Sequence, residues 1–158
     1  MQTKYGLITV RALIKEVSER RYAVPDIQRP FVWDMKRVKK LVDSIIENVP
    51  IGGIVIWAAN ASSSATIRET SSVLPSYDPK NKLKLFVIDG QQRLSVLYRL
   101  FEGGEYRVGP SRVINFGSLA LDPTAKMVVS VKKQAVGHIV SIRASTYSTR
   151  EYRSVGSH

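Results

Sequence analysis

The spacing of hydrophobic and polar residues predicts two amphipathic helices in the first third of the chain. Between Val10 and about Arg20 the apolar residues recur every three or four positions, and Thr9 is a suitable N-cap. The same spacing returns over residues 35–48, directly after Asp34, another residue that favours the N-cap position. Each helix is therefore expected to bury one apolar stripe against the rest of the domain.

A third helix is expected to follow a strand with no loop between them. Residues 83–88 alternate as a strand, Asp89-Gly90 ends it, and apolar residues at helical spacing follow until Gly103. Such a turn directs free backbone N–H groups and the positive end of the helix dipole at one point, which suits a phosphate. Asp89 followed by Gln92 also resembles a capping box, so the residues alone leave capping and phosphate binding open.

The segment PDIQRPFVWD, residues 25–34, contains two prolines and no helical period. We expect an ordered loop, because Ile27 and the apolar residues 31–33 favour burial. Arg29 lies between apolar neighbours, and a buried unpaired charge is costly, so it should have a dedicated partner. That partner is a structural group, a phosphate or the Asp89 carboxylate.

The remaining pattern predicts strands joined by one long excursion. Residues 54–57 are expected to form a buried strand, and the Ser-rich stretch 58–81 a partly mobile connection. Further strands are predicted at 105–108, 113–116, 127–131 and 139–142, and a frayed end is predicted beyond 144.

Net charge is the most informative compositional property. Twenty-four Lys and Arg residues against 13 Asp and Glu residues give a formal charge of +11, which favours nucleic acid or nucleotides as partners and acidic membranes second. Four cations crowd the start of the second predicted helix, where they oppose the helix dipole. They form a solvated face, a site for an anionic ligand or a DNA-backbone site: Lys36, Arg37, Lys39 and Lys40.

Other compositional features point to the cytoplasm. The absence of cysteine excludes a disulfide framework and a thiolate metal site. The N-terminal residues lack the apolar run of a signal peptide, and no apolar run is long enough to span a membrane. We therefore expect a cytoplasmic protein without a membrane partner, and homo-oligomerisation stays open.

Two motifs together carry a family resemblance. QRPFVW at 28–33 and IDGQQR at 88–93 are separated by a predicted helix and the strand PIGGIVIW. Over about residues 5–120 this arrangement resembles the N-terminal domain of GmrSD-type modification-dependent restriction enzymes, which belongs with the ParB/sulfiredoxin-like fold. INFGSLALDP, residues 114–123, is similar to the next strand and turn of that family. The resemblance implies an α+β fold in which a small mixed sheet is packed by helices.

The resemblance also implies a nucleotide site. Its nucleotide-binding residues would be Gln28, Arg29, Gly90, Gln91, Gln92 and Arg93, with Trp33 as packing support. The implied activity is nucleoside triphosphate hydrolysis, with GTP or ATP as the nucleotide and Mg²⁺ as a candidate cofactor. The catalytic candidates are Asp89, Gln92, Arg93 and Arg29, and Asp89 is the candidate metal ligand, through water.

The function expected from these features is that of a sensor domain in phage defence. Its partners would be a nucleotide and DNA, either modified or phage-derived. His138 and His158 are the only histidines and neither lies in an HNH-like motif, so the HNH nuclease domain is expected to be a separate or missing partner. Residues 1–125 are predicted to form the ParB-like domain, and 126–158 a C-terminal extension, either a truncation or a tag remnant. The alternatives are a DNA-binding module without catalysis and, third, a ParB-like DNA nuclease.

Overall fold

The computed structural model describes residues 6–60, 73–108, 110–122, 127–130 and 140–141. These residues form three α-helices, eight strands and one short 3-10 helix, which confirms the expected α+β class. The helices are α1 (Val10–Ser18), α2 (Met35–Ile46) and α3 (Gln91–Glu102). The strands are β1 (Tyr22–Ala23), β2 (Val55–Asn60), β3 (Leu83–Asp89), β4 (Glu105–Val108), β5 (Arg112–Asn115), β6 (Leu119–Asp122), β7 (Met127–Ser130) and β8 (Val140–Ser141).

The predicted caps begin the first two helices. The Thr9 hydroxyl accepts a hydrogen bond from the Ala12 N–H at 3.2 Å, and the Asp34 carboxylate accepts from the Arg37 N–H at 2.9 Å. Each cap satisfies one of the N–H groups that a helix start leaves without an intrahelical partner. Gly103 ends α3 as predicted, and its N–H donates to the Arg99 carbonyl at 2.7 Å.

A small mixed sheet places the two sequence motifs. Its strand order is β1-β3-β2, with β1 parallel and β2 antiparallel to the central β3. Because β1 leads into residues 25–34 and β3 leads into α3, the parallel pairing brings both segments to the same end of the sheet. The ParB-like assignment of this sheet stays a prediction.

Helix α3 lies between two apolar cores. Leu94 and Leu97 pack with α1 and with Val87 of the sheet. Val96 and Leu100, on another side of α3, pack with α2, the β4-β5 hairpin and Phe116. Because α3 is packed on two sides, its position is fixed relative to α1, α2 and the sheet, and so is the position of its N-terminus.

The strands after α3 form two further sheets. β4 and β5 make an antiparallel hairpin, and β6 pairs antiparallel with both β7 and β8. The Val128 N–H donates to the Asp43 carboxylate of α2 at 2.8 Å, and the Val128 side chain is buried. The predicted domain boundary at residue 125 stays a prediction; β7, which follows it, is hydrogen-bonded to α2.

Several predicted burial states were wrong. Residues 55–57 form a strand, but they are exposed, because β2 is an edge strand: Val55 54%, Ile56 36% and Trp57 42%. Ile27 is 90% exposed, whereas Phe31 of the same segment is buried.

The long connection predicted over 58–81 is only partly described. Residues 61–72 lie outside the described residues, as does the end beyond 144. Val73, Leu74 and Tyr77 are buried, so the later part of the connection contributes to the cores. Among the described residues, no helix combines the length and apolarity needed to cross a membrane.

Candidate anion-binding site

The start of α3 has no side-chain cap. Gly90 occupies the N-cap position with φ of +86°, and no side chain there accepts from the first-turn N–H groups. The capping-box interpretation of Asp89 and Gln92 was therefore wrong, because the glycine turn displaces Asp89 from the cap position. Helix N-termini with free N–H groups attract anions.

Close packing explains why glycine is needed at this turn. A Cβ atom added to Gly90 would lie 3.0 Å from Ile54 Cγ1 and 3.2 Å from the Gly53 carbonyl oxygen. A positive φ also disfavours any residue with a side chain. Residues 53 and 54, in the turn between α2 and β2, are thus in close contact with Gly90 at the start of α3.

Arg93 joins this turn to the first turn of α3. Its Nη2 donates to the Gly53 carbonyl at 2.6 Å and lies 3.2 Å from the Asp89 carboxylate. Its Nε is buried and has no hydrogen-bond partner within the described part of the chain. Asp89 is 69% exposed in its side chain, so this ion pair contributes little stability but holds the guanidinium beside the helix start.

Gln92 physically links the two motifs. Its Oε1 accepts from the Val32 N–H at 2.9 Å, and its Nε2 donates to the Pro30 carbonyl at 3.0 Å. Gln28 adds a second link by donating to the Ile88 carbonyl at 2.7 Å. The structure thus brings together two polar runs that lie about sixty positions apart, as the sequence predicted.

A cleft of about 240 Å³ opens next to Arg93. Its lining includes three cations from two helices, Arg37 and Lys40 of α2 and Arg93 of α3. The other lining residues are Trp33, Leu41, Ser44 and Ile51, so no carboxylate lines the cleft among the described residues. Arg93 is paired with Asp89, which does not line the cleft, and the three cations of the lining give the cleft a positive potential that would attract an anion.

Only two of the four cations predicted at the start of α2 line the cleft. Arg37, Lys40 and Ser44 are spaced three and four residues apart, so they share one face of the helix. Lys36 and Lys39 are absent from the cleft lining. Sequence analysis identified all four residues but missed that two of them lie with the IDGQQR arginine; the i, i+3 spacing was the available signal.

The remaining predicted residues of the two motifs are not among the cleft's lining residues. Arg29 is exposed and is not a lining residue, so the expectation of burial there was wrong. Gln91 is only 4% exposed, and its Oε1 has no hydrogen-bond partner among the described residues. Its backbone N–H is at the first position of α3, where no intrahelical acceptor is available.

Arg112 was missed entirely by sequence analysis. It extends from β5 and donates through Nη2 to the Val32 carbonyl at 2.9 Å, so it lies beside the segment that leads into α2. The hydrogen bond from the Arg37 N–H lowers the pKa of Asp34 below its ordinary value, and the positive charges of Arg37 and Arg112 lower it further, against a smaller opposing effect of burial. The long sequence separation between Arg112 and Val32 gave no signal of this contact.

A divalent metal ion would have limited protein ligation here. No group of three or more His, Asp or Glu side chains lies close enough to hold a metal ion in the ranges the structure describes. The exposed carboxylate of Asp89 is the acidic group nearest to Arg93. Such a donor set fits Mg²⁺ held mainly by water and by a ligand's phosphates, which is how proteins commonly bind this ion.

Comparison with known proteins agrees with the resemblance of the two motifs. A family model described as the GmrSD restriction endonuclease, N-terminal domain, matches residues 10–153. An uncharacterized protein of Methanocaldococcus jannaschii is 34% identical over 102 residues, which cover 62% of this chain. The chain spans 17% of the length of that relative. The chain therefore belongs to the GmrSD restriction endonuclease N-terminal domain family.

Proposed function

We propose that this domain binds a nucleoside triphosphate and hydrolyses it as the sensor part of a phage-defence restriction system acting on DNA. The observation that supports this most strongly is the convergence of Arg37, Lys40 and Arg93 on one cleft beside the uncapped start of α3. Family membership supports the DNA-restriction context. Nucleotide hydrolysis is the activity that the resemblance of the two motifs implies, and the positive charge of the cleft is compatible with it.

The cleft is suited to the phosphate chain of a nucleotide. At about 240 Å³ it is smaller than the pockets that enclose whole drug-sized ligands, which begin near roughly 300 Å³. The phosphates would lie against the three cations, and the base would lie at the rim, where the half-buried Trp33 offers an aromatic surface. The buried Nε–H of Arg93 would then donate to a phosphate oxygen.

Hydrolysis would depend on charge stabilisation by fixed groups. Water attacks the terminal phosphorus, the bridging P–O bond breaks, and negative charge spreads over the transferred oxygens and the leaving group. Arg93, Arg37 and Lys40 would offset this charge, and Arg29 is the exposed cation that would approach from the other motif. Mg²⁺, held through water by Asp89, would supply further neutralisation of the phosphates.

Gln92 and Gln28 act as positioning residues in this proposal. Both polar ends of the Gln92 amide bind the backbone of the 28–33 segment, and the Gln28 amide binds the end of β3. Because these bonds hold Trp33 and the α3 start in fixed relation, they keep the two sides of the cleft at a constant distance.

Phosphate release tests the proposal directly. The full 158-residue chain would be incubated with GTP or ATP and Mg²⁺, with and without modified DNA, and inorganic phosphate would be measured. We expect release that Arg93→Ala abolishes. No release under any condition, together with no binding of a fluorescent nucleotide, would overturn the proposal.

A pair of lysine variants separates a specific cleft from general positive charge. Lys40 lines the cleft and Lys39, one residue earlier on the same helix, does not. Lys40→Ala should weaken nucleotide binding by roughly fivefold or more, in line with one lost charge-assisted contact, whereas Lys39→Ala should leave it unchanged. Equal effects of the two substitutions would point to nonspecific attraction.

A DNA-binding module without catalysis is the second candidate. The charge of +11 and the exposed Lys36 and Arg37 favour it. It predicts DNA binding that falls steeply with salt and does not respond to nucleotide. A ParB-like nuclease is the third and weakest candidate, since the described residues hold no cluster of three metal-binding side chains.

A further inference from the structure

Two arginines from different parts of the fold lie beside the 32–34 segment that leads into α2, and one of them, Arg37, also lines the cleft. Arg37 is on the first turn of α2, and Arg112 is on β5, more than seventy positions later. Arg112 donates to the Val32 carbonyl and the Arg37 N–H donates to the Asp34 carboxylate, so both residues adjoin the same short segment, and both are exposed. We refer to Arg37 and Arg112 as the arginine pair.

The arginine pair is fixed in place by backbone contacts. Arg112 is anchored by its bond to the Val32 carbonyl, while the Val32 N–H is held by Gln92 of α3. Arg37 is on a helix whose start is held by the Asp34 cap. An arginine has five N–H donors, and Arg112 uses one of them for the Val32 carbonyl, so its other donors can still bind a ligand.

The charge balance at this position favours an anion. Asp34 is the acidic group beside the pair, and its carboxylate already accepts the Arg37 N–H as a helix cap. Two cations face one carboxylate that remains ionised, since its pKa is lowered. The surplus positive charge adjoins the cleft, because Arg37 also lines it.

We propose that the arginine pair binds phosphodiester groups of the DNA backbone, so that DNA lies across the mouth of the nucleotide cleft. Arginine guanidinium groups bind phosphate oxygens in a fork geometry, and such contacts place a protein on DNA without reading its sequence. The proposal rests on the proposed function only for the identity of the cleft's ligand. Since Arg37 lines both places, a nucleotide in the cleft competes with DNA for this side chain and weakens DNA binding.

The hairpin offers a matched control for Arg112. Arg107 is on β4 of the same hairpin and has the same charge. It pairs with Val113 whereas Arg112 pairs with Val108, so the two arginines belong to opposite faces of the hairpin. Loss of general positive charge would affect both positions equally, whereas loss of a DNA contact would affect Arg112 alone.

Salt dependence of DNA binding tests the arginine pair. The full chain would be titrated with a short fluorescently labelled duplex at several salt concentrations. Arg112→Gln should reduce the slope of log affinity against log salt by about one, the change expected for one lost phosphate contact. Arg112→Lys should retain the slope, and Arg107→Gln should not change it. Equal slopes for Arg112→Gln and Arg107→Gln would overturn the proposal.

A second titration tests the competition. A nonhydrolysable nucleotide should lower the DNA affinity of the wild-type chain, and DNA should lower nucleotide affinity by the same factor, as linkage requires. A rise in DNA affinity with nucleotide would refute the competition. A chain that binds no nucleotide but retains the Arg112 effect would refute the proposed function and leave the DNA surface standing. Melting curves of every variant would show that the fold is intact.

Discussion

Truncating Gln92 should separate the two sequence motifs and destabilise the domain. The Gln92 side chain is 8% exposed, and its amide makes two hydrogen bonds, one with the Val32 N–H and one with the Pro30 carbonyl. Gln92→Ala removes both bonds and leaves two backbone groups without their partners in a partly buried place.

The expected magnitude follows from these two bonds. A hydrogen bond contributes about 0.5–1.5 kcal/mol net, and a stranded buried partner raises the cost. Two bonds and the lost packing of the side chain together predict a decrease of about 2–3 kcal/mol in the free energy of unfolding. For a domain of this size that corresponds to a fall of roughly 5–10 °C in Tm.

Urea unfolding followed by circular dichroism would measure the change, with Gln28→Ala as the control. Gln28 makes one exposed hydrogen bond, to the Ile88 carbonyl, so its removal should cost about 1 kcal/mol or less. If Gln92→Ala proved no more destabilising than Gln28→Ala, the inference that Gln92 holds the motifs together would be wrong.

Three further perturbations test other parts of the site. Gly90→Ala should destabilise by about 2–4 kcal/mol, because it combines a positive φ with a Cβ 3.0 Å from a neighbouring side chain, whereas Gly53→Ala, with no atom within 4 Å, should be near neutral in thermal melts. The pKa of Asp34 is lowered in the folded state, so this carboxylate stabilises the fold above the ordinary pKa of an aspartate, and that stabilisation is lost as pH falls through the folded-state pKa. Asp34→Asn should therefore flatten the acid side of a curve of Tm against pH. An unchanged curve would contradict this. Asp43→Ala removes the acceptor of the Val128 N–H, so hydrogen exchange at the Val128 amide should accelerate while the α3 amides stay protected. Equal acceleration at the Val128 and α3 amides would indicate global unfolding instead.

Local chemistry in the sequence was sufficient for the helices and their ends. Thr9 and Asp34 cap as predicted, and Gly103 ends α3, because each of these features depends on residues within one turn of the helix. The strand-to-helix turn at Gly90 was also predictable, because a glycine between an alternating strand and a helical pattern readily adopts the positive φ that such a turn needs. The α+β class was implied by the resemblance of the two motifs, and the observed elements confirm it.

Only the tertiary structure decided which residues share the site. Apolar residues predict burial, yet Val55 and Trp57 are exposed because their strand lies at the edge of the sheet, a property of strand order and not of composition. Likewise, residue type identified the cations of α2, but the packing of α2 against α3 determined that Arg37 and Lys40 line one cleft with Arg93. Arg112 joins the same surface through a contact across eighty positions, and no local pattern encodes a contact of that separation.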